Sequence, residues 1–140
     1  MIKVKNIFLV EDDEDDQEFF KEAINDIDNT ICLDMAVNGL DAIGKLAHMS
    51  ILPDLIFMDI NMPLMNGLEC LKKLKSMAQF KNIPVVILST SVNFNESQRA
   101  DALGAGCFFS KPSDAAILKK NIMDMFKIYI PASAMGFAVD

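Results

Sequence analysis

One stretch of the sequence, residues 55–74, decides the fold, and it reads LIFMDINMPLMNGLECLKKL. It starts with the apolar run Leu55–Met58, which is continuous rather than alternating, as expected of a strand that is covered on both faces. Asn66 is then followed three positions later by Glu69, which is the capping-box pattern of a helix start. Leucines follow at helical spacing, at positions 68, 71 and 74. The stretch therefore predicts a buried strand, a loop and an amphipathic helix.

The same strand-to-helix alternation occurs five times along the chain. The other predicted strands are Ile7–Val10, Ile31–Val37, Val85–Leu88 and Ala105–Phe109. Each is followed by a segment in which apolar residues recur at the helical interval. Alternation of this kind predicts an α/β fold, a doubly wound parallel sheet with right-handed crossovers and helices on both faces.

The charge of the chain is concentrated in one place. The 140 residues carry 20 acidic and 13 basic side chains, and seven of the acids lie within residues 11–18. The rest of the chain is balanced, which argues against a nucleic-acid-binding surface and against attraction to an anionic membrane. The sequence also lacks a signal peptide pattern and an apolar run long enough to cross a membrane, so we expect a cytoplasmic protein.

The three cysteines, Cys32, Cys70 and Cys107, are an odd number at spacings that match neither a disulfide framework nor a zinc site. All three have apolar neighbours in the sequence. We therefore expect them to be buried free thiols in a reducing compartment.

Polar residues follow the predicted strands, and in a parallel sheet ligands bind outside the carboxyl ends of the strands. These residues are Glu11, Asp12 and Asp13 after the first strand, Asp59 after the third, Ser89 after the fourth, and Ser110 and Lys111 after the fifth. Crowded carboxylates repel one another unless a cation lies among them, and a small set of oxygen ligands suits Mg²⁺. A lysine and a hydroxyl beside them would bind an anion. The set predicts Mg²⁺-dependent phosphoryl transfer to the central carboxylate, Asp59.

At these residues the sequence resembles the receiver domain of two-component response regulators. The matching segments are residues 9–13, 58–63 with 66–67, 84–89 and 110–112. The resemblance covers residues 5 to about 128, which leaves a short C-terminal tail at 129–140. Details after the first and fourth strands look like the single-domain regulators that are paired with phytochrome-type kinases.

The resemblance implies a flavodoxin-like three-layer sandwich with strand order 2-1-3-4-5, in which Asp59 is the phosphoacceptor. Glu11 and Asp12 match the acidic pair that holds Mg²⁺, with Asp13 as an alternative to Asp12. Asn61 would offer its backbone carbonyl to the metal. The other acids at the start of the first helix, Asp15, Asp16 and Glu18, are expected to be solvated.

Three further roles follow from the same resemblance. Lys111 would pair with the phosphoryl group, and the Lys111–Pro112 peptide bond is expected to be cis. Ser89 matches the switch hydroxyl that bonds a phosphoryl oxygen, and Phe108 matches the switch aromatic residue that turns inward.

The resemblance implies a single-domain regulator that receives its phosphoryl group from a histidine kinase or a phosphotransfer protein. It would promote only its own phosphorylation and dephosphorylation, and would signal to an unnamed protein target through contacts that depend on phosphorylation. A homodimer is left open. Two alternatives stay in view: a receiver-like interaction module that is never phosphorylated, and a hydrolase of the haloacid dehalogenase type. The hydrolase family expects a second Asp where this chain has Asn61.

Overall fold

The computed structural model of the chain describes residues 5–90 and 94–129. Within them, five strands alternate with five helices. The strands are β1 (Asn6–Val10), β2 (Cys32–Ala36), β3 (Leu55–Asp59), β4 (Val85–Ser89) and β5 (Cys107–Ser110). The helices are α1 (Glu14–Ile27), α2 (Gly39–Ala47), α3 (Gly67–Ser76), α4 (Phe94–Ala102) and α5 (Ala115–Tyr129). The part of the tail beyond residue 129 lies outside the described residues.

The five strands form one parallel sheet in the order β2-β1-β3-β4-β5. This is the flavodoxin-like α/β arrangement, so the predicted fold class and strand order are confirmed. Strand β3 lies in the middle of the sheet, and all five of its residues are buried. Its last residue, Asp59, therefore emerges at the centre of the sheet's carboxyl edge.

Each face of the sheet carries its own hydrophobic core, because successive strand residues point to opposite faces. One core joins Leu9 and Phe57 to Phe20 of α1 and Phe126 of α5. The Phe20 and Phe57 rings lie 5.0 Å apart between centroids. The other core joins residues such as Met58 to helices α2 and α3. Continuous apolar strands are thus explained by burial on both sides.

The junction between β3 and α3 is built by local hydrogen bonds. The Asn66 side chain accepts from the Glu69 backbone N–H, and the Glu69 side chain accepts from the Asn66 N–H. The predicted capping box is therefore confirmed. The next residue, Gly67, donates its N–H to the Ile60 carbonyl at 2.8 Å. A Cβ at Gly67 would lie only 2.2 Å from the Asp59 carbonyl oxygen, so glycine lets α3 start directly against the end of β3.

The cysteines differ from the sequence-based expectation in one respect. All three are free thiols, and Cys70 is buried, but Cys107 is only half-buried and Cys32 is exposed. The reason is the position of Cys32 at the start of β2, which is an edge strand and is mostly only partly covered. The apolar neighbours in sequence do not enclose it.

Among the described helices, none has both the length and the apolar character that crossing a membrane would require.

Candidate functional site

Three carboxylates meet at the centre of the sheet's carboxyl edge. Val10 and Met58 are partners in the parallel register of β1 and β3, so the next residues along each strand, Glu11 and Asp59, emerge side by side. One oxygen from each of Glu11, Asp12 and Asp59 lies within 4.8 Å of the others. Glu11 and Asp59 are buried, whereas Asp12 is exposed. The inner part of the cluster is thus buried, and its outer side is open to solvent.

Lys111 brings one positive charge to these acids. Its backbone N–H donates to the Ser89 carbonyl at 2.7 Å, which holds the segment after β5 against the end of β4. Its ammonium donates to Glu11 Oε1, and it lies 3.4 Å from Asp59 Oδ2. It also donates to Asp16 Oδ2 at 2.9 Å. A single ammonium therefore faces three carboxylates.

Burial dominates the electrostatics of the two inner acids. It raises the pKa of Glu11 to about 7, although the hydrogen bond from Lys111 acts in the opposite direction. Burial also raises the pKa of Asp59, against the charge of Lys111. For Lys111, burial would lower the pKa, but the hydrogen bonds to Glu11 and Asp16 and the charge of Asp59 raise it overall. Ionised carboxylates are thus costly here, and a further cation would relieve that cost.

One oxygen of Asp59 stands out. Asp59 Oδ1 is buried and has no hydrogen-bond partner among the described residues. Buried polar atoms in folded proteins nearly always have a partner, so an orphaned carboxylate oxygen indicates a position where another group binds. Mg²⁺ prefers oxygen ligands, and carboxylates such as these three supply them. Glu11, Asp12 and Asp59 therefore fit a divalent cation.

The two acids that the sequence left as alternatives have different surroundings. Asp12 contributes to the oxygen cluster with Glu11 and Asp59. Asp13 is the N-cap of α1, and its side chain accepts a hydrogen bond from the Asp15 N–H at 3.2 Å. Within the described residues, the geometry favours Asp12 as the acid that faces a cation.

The remaining predicted residues lie around this cluster. Ser89 is the last residue of β4 and is fully buried. Asn61 lies in the exposed loop after β3, two residues beyond Asp59. Phe108 is in register with Ile87 of β4, two residues before Ser89, and is half-buried against the core that faces α2 and α3. Phe108 thus lies within β5, two residues before the last residue of that strand.

Asp16 is a site residue that the sequence reasoning missed. The sequence predicts a solvated acid in the first helical turn, but in the structure Asp16 forms an ion pair with Lys111. A signal was present: Asp16 lies three and four positions before Phe19 and Phe20, which the helical spacing directs toward the core. Its position on the inward edge of α1 follows from that spacing.

The Lys111–Pro112 peptide bond differs from the expectation. No peptide bond among the described residues is cis, so this bond is trans and the implied cis form is wrong. The trans form of an X–Pro bond is intrinsically favoured, by about 0.5–1 kcal/mol.

Comparisons with known proteins agree with this geometry. Residues 7–123 match the family described as the response regulator receiver domain. Response regulator Rcp1 of Synechocystis sp. is 31% identical over 131 residues, which cover 89% of this chain and 83% of Rcp1. A protein-glutamate methylesterase/protein-glutamine glutaminase of Clostridium acetobutylicum is 34% identical over 133 residues. That match covers 91% of this chain, which spans 36% of the length of the methylesterase.

Two solved structures are similar over nearly their full length. The phosphorylated cyanobacterial phytochrome response regulator RcpA superposes with a TM-score of 0.82 at 29% identity, covering 92% of this chain and 96% of RcpA. The Mn²⁺-bound form of response regulator Rcp1 has a TM-score of 0.75 at 29% identity and covers 90% of this chain and 94% of its own. The fold, the family match and the relatives lead to one conclusion: the chain belongs to the response regulator receiver domain family.

Proposed function

We propose that the chain accepts a phosphoryl group on Asp59 from a histidine kinase or a phosphotransfer protein, in a reaction that depends on Mg²⁺. The observation that carries the proposal is Asp59 Oδ1, which is buried at the centre of the sheet edge without a partner among the described residues. Asp59 lies within 4.8 Å of two further acids and 3.4 Å from an ammonium. A nucleophile beside cationic groups is the arrangement that phosphoryl transfer requires.

In the proposed reaction, an Asp59 oxygen forms the bond to phosphorus. The bond from phosphorus to the donor's histidine nitrogen breaks, and the nitrogen leaves with the electron pair. Lys111 lies beside Asp59 and is positively charged, so it would neutralise charge on the transferred oxygens. The buried position of Asp59 would limit access of water to the new acyl phosphate.

Glu11, Asp12 and Asp59 would hold Mg²⁺, together with the backbone carbonyl of Asn61. When bound, the metal supplies positive charge that offsets the charge of the carboxylates and of the phosphoryl oxygens. The support is the oxygen cluster in this chain and the Mn²⁺-bound form of Rcp1, a similar protein that binds a divalent cation.

The proposed output is a change in protein contacts. Ser89 ends β4 beside the strand that carries Asp59, and its hydroxyl would bond a phosphoryl oxygen. Phe108 lies on the neighbouring strand β5 and would turn inward in response. Added charge that biases such a two-state element would alter the face formed by α4, β5 and α5.

We further propose that residues 5–128 form the receiver domain and that the chain acts only on its own Asp59. The three cysteines are free thiols, which suits a reducing cytoplasm. The sensor kinase and a downstream protein would be its partners.

Incubation with acetyl phosphate and Mg²⁺, followed by intact mass measurement, tests the proposal. We expect one phosphate adduct on the wild-type chain and none on Asp59→Asn or in EDTA. The absence of an adduct in protein that binds Mg²⁺ would instead support an interaction module that is never phosphorylated. Repeated turnover of small phosphate esters would support a hydrolase.

A further inference from the structure

Asp16 lies outside the cluster of Glu11, Asp12 and Asp59 but contacts Lys111 beside it. Its Oδ2 accepts a hydrogen bond from Lys111 Nζ at 2.9 Å, although the two residues are 95 positions apart in the chain. The Lys111 side chain is 14% exposed and the Asp16 side chain 37% exposed. An ion pair this short, with a partly buried ammonium, constrains the lysine more than a fully solvated pair would.

The geometry divides the three N–H groups of the ammonium. One donates to Glu11 and one to Asp16, which leaves the third for Asp59 Oδ2, at the longer distance of 3.4 Å. Two fixed contacts on the α1 side therefore orient the remaining donor toward the phosphoacceptor.

Lys111 would have room to move without these contacts. A cavity of about 30 Å³ lies beside it, between α1 and α5, with Phe19 and Leu118 among its lining residues. Glu11 belongs to the acid cluster that fits a cation, so its attraction for Lys111 is shared with any ion held there. Asp16 is outside that cluster, and its charge stays available to the lysine.

We propose that Asp16 is a positioning residue, which anchors the Lys111 ammonium to α1 so that its third N–H faces the phosphoryl group on Asp59. This inference rests on the proposed function. Asp16 acts through Lys111 and does not touch the reacting atoms.

Phosphorylation by acetyl phosphate in saturating Mg²⁺ tests the inference with matched variants. Asp16→Ala is expected to lower the rate constant about 5- to 20-fold, below the ~10²-fold that a 1 Å misplacement can cost. Asp16→Asn keeps an oxygen acceptor for Lys111 and should recover part of that loss. Asp15→Asn and Asp15→Ala change the same helical turn at an exposed residue, and their rates should match the wild type.

The Lys111 ammonium provides a second readout that does not depend on phosphorylation. In nitrogen-15 NMR of metal-free protein, we expect its ammonium signal to broaden by faster exchange in Asp16→Ala, but not in Asp15→Ala. An unchanged Lys111 signal in Asp16→Ala overturns the positioning role even where the rate falls.

The outcomes separate the two proposals. A wild-type adduct that forms at the same rate in Asp16→Ala overturns this inference and leaves the proposed function intact. Faster phosphorylation of both Asp16 variants also overturns it, because Asp16 would then act only as a repelling charge. A wild-type chain that forms no adduct overturns the proposed function and this inference together.

Discussion

Asp59 combines two features that cost folding free energy. The residue is 4% exposed, and Oδ1 has no hydrogen-bond partner among the described residues. Burial raises its pKa because the ionised form loses hydration that Lys111 only partly replaces. Such a residue is expected where the surrounding structure keeps a reactive group in place at the expense of stability.

Asp59→Asn should therefore stabilise the metal-free protein. We expect the free energy of unfolding to rise by about 1 kcal/mol, because a neutral amide costs less to bury than a carboxylate. Urea unfolding in EDTA measures the change. Asp15→Asn removes the same charge from an exposed position, and its free energy of unfolding should not rise. A lower stability of Asp59→Asn than of the wild type would contradict this account of the site.

At the scale of the elements, the β3–α3 junction positions Asp59. The capping box starts α3 at Gly67, and the Gly67 N–H donates to the Ile60 carbonyl. A Cβ at this position would meet the Asp59 carbonyl oxygen at 2.2 Å and the Ile60 Cα at 2.9 Å. These contacts are backbone atoms, which cannot rotate away as a flexible side chain does. A shift in the start of α3 would therefore displace Asp59.

Gly67→Ala should destabilise the protein by about 1–3 kcal/mol, the usual cost of overpacking, and should slow phosphorylation by displacing Asp59. Gly44 is the matched control, since it lies inside α2 with nothing within 4 Å of an added Cβ. Gly44→Ala should stabilise by roughly 0.5–1 kcal/mol through helix propensity. Thermal or urea unfolding compares the two. Equal effects of the two substitutions would show that the junction is not tightly packed.

The elements also show what sequence patterns can predict. The strands β1, β3 and β4 were predicted nearly to the residue, because each is a continuous apolar run that is buried on both faces. The apolar run predicts a fifth strand that starts at Ala105, whereas β5 begins at Cys107. Residues 104–106 form the connection instead, with Gly104 at a φ of +100° and Gly106 donating to the Val85 carbonyl.

Predictions that depend on one side chain's direction were weaker. Strand ends converge by topology, so the cluster of Glu11, Asp12 and Asp59 followed from the alternation of strands and helices. The pair between Asp16 and Lys111 did not, since it depends on how a long side chain bends toward a residue 95 positions away. The cis form of the Lys111–Pro112 bond was implied only by the resemblance to receiver domains, and the bond is trans.

At the scale of the whole molecule, the net charge of −7 is organised rather than spread. The acids at residues 11–18 make different contacts, according to their positions. Glu11 and Asp12 join the oxygen cluster, Asp13 caps α1 and Asp16 pairs with Lys111. The molecule therefore places its excess negative charge at the same end of the sheet as the proposed phosphoacceptor.

This arrangement predicts how stability depends on pH. Burial raises the pKa of Glu11 from 4.5 to about 7 and raises that of Asp59 as well, so the folded chain holds protons that the unfolded chain releases. The free energy of unfolding of metal-free protein should fall as pH rises from about 4.5 through 7 and then level off. Urea unfolding between pH 5 and 8 measures this.

Mg²⁺ supplies the matched condition for the same experiment. Saturating Mg²⁺ should raise the free energy of unfolding most at the upper end of the range, because there the carboxylates are ionised and the cation would bind the folded state only. Asp59→Asn in EDTA should show a shallower fall than the wild type. Stability that rises through this window without metal would be incompatible with buried acids of raised pKa.

The position of the phosphoryl group tests the central claim most directly. The chain is incubated with acetyl phosphate and Mg²⁺, the acyl phosphate is reduced with borohydride, and the modified peptide is sequenced by tandem mass spectrometry. Reduction converts a phosphorylated aspartate to homoserine, which marks the residue permanently. We expect homoserine at position 59 alone, and none when EDTA replaces Mg²⁺ during the incubation. Homoserine at another aspartate, such as Asp12 or Asp16, or at none, would contradict it.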